Sequence, residues 1–218
     1  MKSILLVFAL SFASVSFAQN QQLVDSFANE ICISITNSNQ TNDSTRVFDA
    51  FKEHRLPASS NFTQKEKNEF GDNVYFRLQR NCFIFRTILE RNAPVNPNWK
   101  TVTVKPVSKL TNNECAEFGK YKSYRYLDPS GDTVLLTIDK GFWTDHFKDG
   151  SFSKLGVRWL SACEFDIEFI ESNNPIRKKF SKAGDKYRYQ ILEKMKDSYL
   201  MSVEIVGQNR YSLFKIYF

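Results

Sequence analysis

The chain has 218 residues, of which 42% are hydrophobic and 25% charged, with a formal net charge of +6. So small a positive excess pulls weakly toward anions and is not the footprint of a nucleic-acid binder. Two histidines and four cysteines exclude a histidine-rich metal centre, and the length suits one large domain or two small ones.

Met1 to Ala18 comes first. Lys2 is a positive n-region, Ile4 to Val15 is apolar, and Ser16-Phe17-Ala18 places small residues at a cleavage site. This pattern predicts a secretory signal peptide over 1–18, cut between Ala18 and Gln19, because the apolar run is too short to cross about 30 Å of hydrocarbon. No cysteine follows the site, so no lipoprotein anchor is expected. No later apolar run approaches a membrane span, so the expectation is a secreted or periplasmic protein without a transmembrane anchor.

Residues 19–92 read as a helical domain of about three helices. Leu23, Val24, Phe27, Ile31 and Ile35 recur at spacings of three and four, with Cys32 on the stripe's edge. The polar run 37–43 is a loop. Asp43 or Ser44 caps a second helix with Val47, Phe48 and Phe51 on its buried side, and Leu56-Pro57-Ala58-Ser59-Ser60 ends it. Thr63-x-x-Glu66 is a capping box. It opens a long third helix with a stripe of Phe70, Val74, Leu78, Cys82, Phe85, Ile88 and Leu89; Gly71 delays its firm start.

Residues 93–113, with Pro94, Pro97 and Pro106, read as a linker in which Trp99 to Val104 is able to add a strand. From 114 to 218 the period becomes two. Strands are expected at 118–127, 132–138, 141–147, 154–160, 163–171, 186–194, 198–206 and 209–217, separated by Gly-, Asp- and Lys-rich turns. Eight short strands argue an antiparallel meander, barrel-like or strongly curled, making the whole chain α+β. A tight hairpin at 161–163 would set Trp159 across from Phe165 and Arg158 across from Asp166. The polar insertion 173–184 is a loop with one helical turn near 175–181.

In an oxidising compartment Cys32, Cys82, Cys115 and Cys163 read as two disulfides. Three pairings are open. Cys32–Cys82 with Cys115–Cys163 is favoured, since each bridge then lies within one predicted domain, closing about 50 residues for roughly 3–5 kcal/mol. No CxxC spacing exists and His54 and His146 are isolated, so no metal site is expected. Catalytic signals are equally thin. With both cysteine pairs bridged there is no thiol nucleophile, and the Gly-x-Ser-x-Gly elbow and a phosphate-binding glycine loop are absent. Glu164, Asp166 and Glu168 are formal acid candidates, but their parity puts them opposite the apolar face.

Two features point to binding. Arg177-Lys178-Lys179-Phe180-Ser181-Lys182 is the densest basic run and suits an anionic surface. The tyrosines 121, 124, 126, 187, 189, 199 and 211 fall on strands, where some would line a pocket.

The segments Cys115-x-x-Phe118-Gly119-Lys120-Tyr121 and Trp159-Leu160-Ser161-Ala162-Cys163-Glu164-Phe165 resemble a module of small exported proteins of the Bacteroidota type. Glu30-Ile31-Cys32 and Leu78-x-x-x-Cys82-x-x-Phe85 resemble a helical module of related exported proteins, which often carries a Cys-x-Cys at its start; here Ser34 takes its second position. The resemblance implies export and a two-module layout, and no activity. On a bacterial reading the sequons at Asn39, Asn42 and Asn61 are chance matches. The β region is also similar in architecture to lipocalin-like barrels, without their Gly-x-Trp signature. The resulting expectation is a non-catalytic binding or structural module of the envelope or periplasm. It needs no cofactor, and its partner is a small apolar ligand or an anionic envelope polymer. The alternative is a carboxylate-dependent hydrolase acting on a cell-surface polymer.

Overall fold

The computed structural model describes residues 4–54 and 62–218, with side chains described from residue 21 onward. It divides into two units, Met1–Ala93 and Pro94–Phe218. The predicted leader falls where side chains lie outside the described residues, as does the helix-ending Leu56–Ser60 stretch.

The first unit holds α1 (Ile4–Asn37), α2 (Asp43–Glu53), α3 (Gln64–Asn81) and α4 (Phe83–Asn92). Val24, Ala28, Ile31 and Ile35 of α1 pack with Ala50, Phe70, Val74, Leu78, Phe85 and Ile88. The Thr63–Glu66 capping box forms with both reciprocal bonds. The cap of α2 is Asn42, whose Oδ1 accepts from Thr45 N–H, rather than Asp43 or Ser44. Two stripe positions are corrected. Leu23 is 38% exposed and Phe48 is 66% exposed. The cause is rotation about the axis: Leu23 lies about 100° around its helix from Val24, and Phe48 about 200° from Ala50. The long third helix is in fact two. Cys82 takes an extended backbone (φ −102°, ψ 106°), closing α3 through its N–H to the Leu78 carbonyl and opening α4. Gly71 interrupts nothing; α3 runs through it.

The second unit begins with β1 (Trp99–Val102) and α5 (Asn112–Phe118), followed by β2 (Ser123–Leu127), β3 (Thr133–Asp139), β4 (Phe142–His146), β5 (Phe152–Trp159), β6 (Glu164–Ser172), α6 (Arg177–Phe180), β7 (Lys186–Lys194), β8 (Ser198–Ile205) and β9 (Tyr211–Tyr217). Strands β2 to β9 pair antiparallel in chain order, and β9 returns to β2 through Arg125–Tyr217 and Tyr126–Ile216, closing an eight-stranded barrel. Beyond that short contact β9 pairs with β1 instead. Trp99 bridges the fork, stacking on Phe214 at 4.5 Å and donating from Nε1 to the Leu127 carbonyl. The expected linker 93–113 therefore supplies a strand. It then runs outside the sheet, where Lys109 N–H donates to the Leu192 carbonyl and Lys105 pairs with Glu164.

All eight expected strands are present. Closure explains their alternation: inward residues fill a barrel core and outward ones meet solvent. In the turn between β3 and β4, Lys140 has φ 49° and Gly141 has φ 79°. Paired positive values of this kind define a tight hairpin. Trp159 lies opposite Phe165 and Arg158 opposite Asp166 in the ladder. One boundary is corrected. Residues 112–118 form α5, not a linker end and strand start, because Thr111 and Glu114 make a second capping box. Tyr121 consequently lies outside any strand.

Candidate functional site

Both favoured pairs of cysteines are bonded, Cys32–Cys82 and Cys115–Cys163, and no cysteine is free. The first joins α1 to the α3–α4 break. The second ties α5 to the start of β6, and with it closes one end of the barrel. There Phe118 is fully buried among Tyr124, Phe165 and Tyr199, with Trp159 at the rim. Tyr124 donates its hydroxyl to the Phe118 carbonyl. This end is a solid aromatic plug.

The opposite end is built differently. It carries the ends of β2 and β4, the start of β7, and the β6–β7 loop with α6. Asp145 faces inward from β4 and is only 7% exposed. Its Oδ1 accepts from Trp143 Nε1 at 2.9 Å, and the Tyr126 hydroxyl donates to the same carboxylate. Arg177 turns in from α6, its guanidinium 5.4 Å from the centre of the Phe147 ring and within electrostatic reach of Asp145, Tyr126 and Tyr189. Tyr189 stacks on Phe165 at 5.5 Å and packs on Trp143 and Phe214. Two polar side chains of opposite charge and two phenols thus share the barrel interior at this end.

Burial raises the Asp145 carboxyl above its ordinary range, and the Arg177 charge and the Trp143 and Tyr126 bonds only partly oppose it. Burial likewise pushes the Tyr126 and Tyr189 phenols up, so both stay neutral. Burial works against the Arg177 charge, but the facing Tyr126 and Asp145 oxygens outweigh it.

Beside this cluster the wall is only partly buried. Tyr189, Val203, Ser212 and Thr101 lie in one cross-strand row from β7 to β1. All four keep accessible surface, as does the neighbouring inward Tyr187, whereas the row's β6 member Phe165 is buried. The row carries three hydroxyls on an otherwise apolar wall.

Of the basic run, Arg177 enters this end. Lys178 is exposed, Lys179 and Lys182 are engaged by other groups, and Lys182 N–H donates to Asp185. The run is therefore not one solvated patch. The three outward acids are also distributed among separate partners. Glu164 pairs with Lys105, and Glu168 with Lys186 at 3.5 Å. Asp166 is buried rather than solvated, because Arg158 and Arg188 from the flanking strands both donate to it. These donors outweigh its desolvation and hold its carboxyl below the ordinary range.

One constellation is invisible in the sequence spacing. Ser34 Oγ lies 2.8 Å from His54 Nε2, and His54 Nδ1 lies 3.6 Å from Glu30. That is the order of nucleophile, base and orienting acid. However, Ser34 also donates to Glu53 at 2.8 Å. Its own N–H is inside helix α1, so no backbone donors are free beside it to hold an oxyanion. The trio ties the end of α2 to α1. His146 is exposed beside Thr137, and among the described residues no three metal-ligating side chains converge.

An outer groove of about 300 Å³ follows the β1–β9–β2 fork, lined by Lys100, Leu127, Leu213, Lys215 and Tyr217 among others. It lies on the solvent side of the wall, separate from the inward cluster. Among the described residues no helix is long and apolar enough to cross a membrane. No protein-family model matches this chain, and no curated protein is significantly similar to it.

Proposed function

We propose that the chain is an exported, non-catalytic binding protein whose β unit takes a small ligand with an apolar body into the α6 end of the barrel. The observation that carries this reading is the partly accessible, hydroxyl-bearing wall beside the Asp145–Arg177 cluster. Burying polar groups inside a barrel costs stability unless they serve a purpose, and a pocket of apolar walls with a few convergent polar groups is the general form of a small-molecule site. Export is supported by the leader pattern and by two disulfides with no free thiol. Kinship with small exported proteins of the Bacteroidota type belongs to the same proposal, on the motifs around Cys115 and Cys163. We favour binding over hydrolysis of a cell-surface polymer because Asp145 is the lone carboxylate at an inward strand position among the described residues. Asp128, near Arg177, spends its Oδ1 on the N–H groups of Ser130 and Asp132 in its own turn.

The test is titration of the mature protein with N-phenyl-1-naphthylamine, a neutral dye that fluoresces in apolar surroundings. Saturable binding of one dye per chain is expected, together with its loss in Val203→Trp, which fills the row beside Tyr189. Absence of saturable binding, or equal binding by a folded Val203→Trp protein, would overturn the reading.

A further inference from the structure

We propose that the ligand held at the α6 end carries a carboxylate, bound by Arg177. The inference rests on the binding reading above and deepens it. Its starting point is an imbalance of hydrogen bonds. The other charged groups in this neighbourhood have their partners. Asp145 accepts from Trp143 Nε1 and from Tyr126. Asp128 is bound into its turn, and Lys182 and Asp185 are engaged with each other's segment. Arg177 is the exception. Its backbone N–H is held by Asn174 Oδ1 at 3.1 Å, which fixes where the side chain leaves the loop. Its guanidinium lies against the Phe147 ring, and among the described residues no carboxylate or carbonyl comes within ion-pair or hydrogen-bond distance of it.

An arginine offers five N–H donors in a planar fork that matches a carboxylate bidentately. Flexible basic side chains at a barrel mouth ordinarily turn to water, as Lys178 does one residue later. Arg177 instead lies along an aromatic ring, partly buried, with its guanidinium donors bonded to no protein acceptor among the described residues and open to solvent, beside a wall whose inward residues keep accessible surface. Tyr189, in that wall, has a hydroxyl with no hydrogen-bond partner among the described residues and stays a neutral donor. A carboxylate placed between Arg177 and Tyr189 would satisfy both. The apolar tail of such a ligand would then lie along the Tyr189–Val203 row.

The test compares decanoate with decanol, which share a tail and differ in the head, by calorimetric titration of the mature protein. Decanoate is expected to bind about 10- to 100-fold more tightly, the range of one charge-assisted pair. Arg177→Gln should remove most of that preference and Arg177→Lys should retain part of it, while Lys178→Gln leaves decanoate affinity unchanged. Equal affinity for the two probes overturns the carboxylate assignment and leaves the binding reading standing. Undiminished decanoate preference in a folded Arg177→Gln protein overturns the role of Arg177. Binding of neither probe, with no uptake of the neutral dye, overturns the binding reading and this inference with it.

Discussion

Replacing Phe118 by Ala tests whether α5 is a structural plug of the barrel or a helix resting on it. The ring is fully buried, stacks on Tyr124 at 4.7 Å and on Phe165 at 6.0 Å, and meets Tyr199 edge-on at 5.3 Å. Truncating a buried Phe to Ala costs about 3–5 kcal/mol, with the larger values where the site cannot collapse. Collapse is hindered here on both sides. Tyr124, Phe165 and Tyr199 sit on strands of a closed sheet, and Cys115, one helical turn before Phe118, is bonded to Cys163. The Tyr124 bond to the Phe118 carbonyl is untouched by the substitution, so the loss is packing alone. We expect about 4 kcal/mol. A unit of about 125 residues unfolds with an entropy of about 0.26 kcal/mol/K, so the midpoint should fall by about 15 °C. Near-UV circular dichroism follows the aromatic cluster directly during thermal melting. A fall of less than about 4 °C, roughly 1 kcal/mol, would refute the plug and place the stability of this end in the strands.

Three further outcomes follow from the same structure. Gly71 sits inside α3, and an added Cβ would meet nothing within 4 Å. Gly71→Ala should therefore stabilise the helical unit by about 0.5–1 kcal/mol, and a loss in the urea midpoint would contradict this. Cys115 and Cys163 close a loop with a sequence separation of 48 residues. Replacing both by Ser should cost about 4 kcal/mol, and an unchanged midpoint in urea would show that the plug needs no staple. Asp145 gives a pH signature. Its folded pKa lies above the ordinary 3.8, so the folded state holds its proton more tightly, and stability falls as pH climbs from about 3.8 to the folded value, then levels. The stability of the wild type relative to Asp145→Asn should therefore decline across that window; a flat difference would place Asp145 in water, and a rising one would show that Arg177 and the Trp143 and Tyr126 bonds outweigh its burial.

The strands were legible because each spans a wall with a filled side and a wet side, so alternation survives in the residues themselves. Arg158 and Asp166 show how far this reaches: parity and a tight turn sufficed to place them opposite each other. Closure was not legible, since the β9–β2 contact joins residues about 90 apart and involves two pairs of positions. Helix α5 was readable and missed. Thr111-x-x-Glu114 carries the same capping signal that marked α3 at Thr63, but Asn112-Asn113 masked it as a loop. Phe48 shows the limit of helical periodicity over a short helix. With three apolar residues, the small Ala50 was overlooked as a core position, and its face decided the rotation. The site was least legible. Asp145 sits between Thr144 and His146 in an ordinary strand, and only the inward parity of Trp143, two residues earlier, would have revealed a buried carboxylate. Arg177 looked like one charge in a basic run, because nothing local distinguishes the residue that turns inward from those that stay out.

The barrel's asymmetry bears on how a ligand would reach its interior. From β2 through to β9 the strands are paired without a break, so passage between them requires breaking ladder hydrogen bonds together, and the β9–β2 fork is filled by Trp99. The α5 end is packed with rings and covalently tied by Cys115–Cys163. The α6 end is covered by a loop whose short helix has four residues, none of them fully buried, with Arg177 turning inward from it. The loop's two ends are held by backbone bonds, Asn173 N–H to the Phe152 carbonyl and Gly184 N–H to the Phe169 carbonyl, but its middle is held by side-chain bonds, Asn174 to Ser151 and Ser181 to Tyr187, which exchange with water more readily than a strand ladder does. Arg177 is carried on this same loop. Opening the loop would therefore withdraw the carboxylate-binding group from the interior at the moment the interior becomes accessible. Ligand capture and closure of the mouth would be one event.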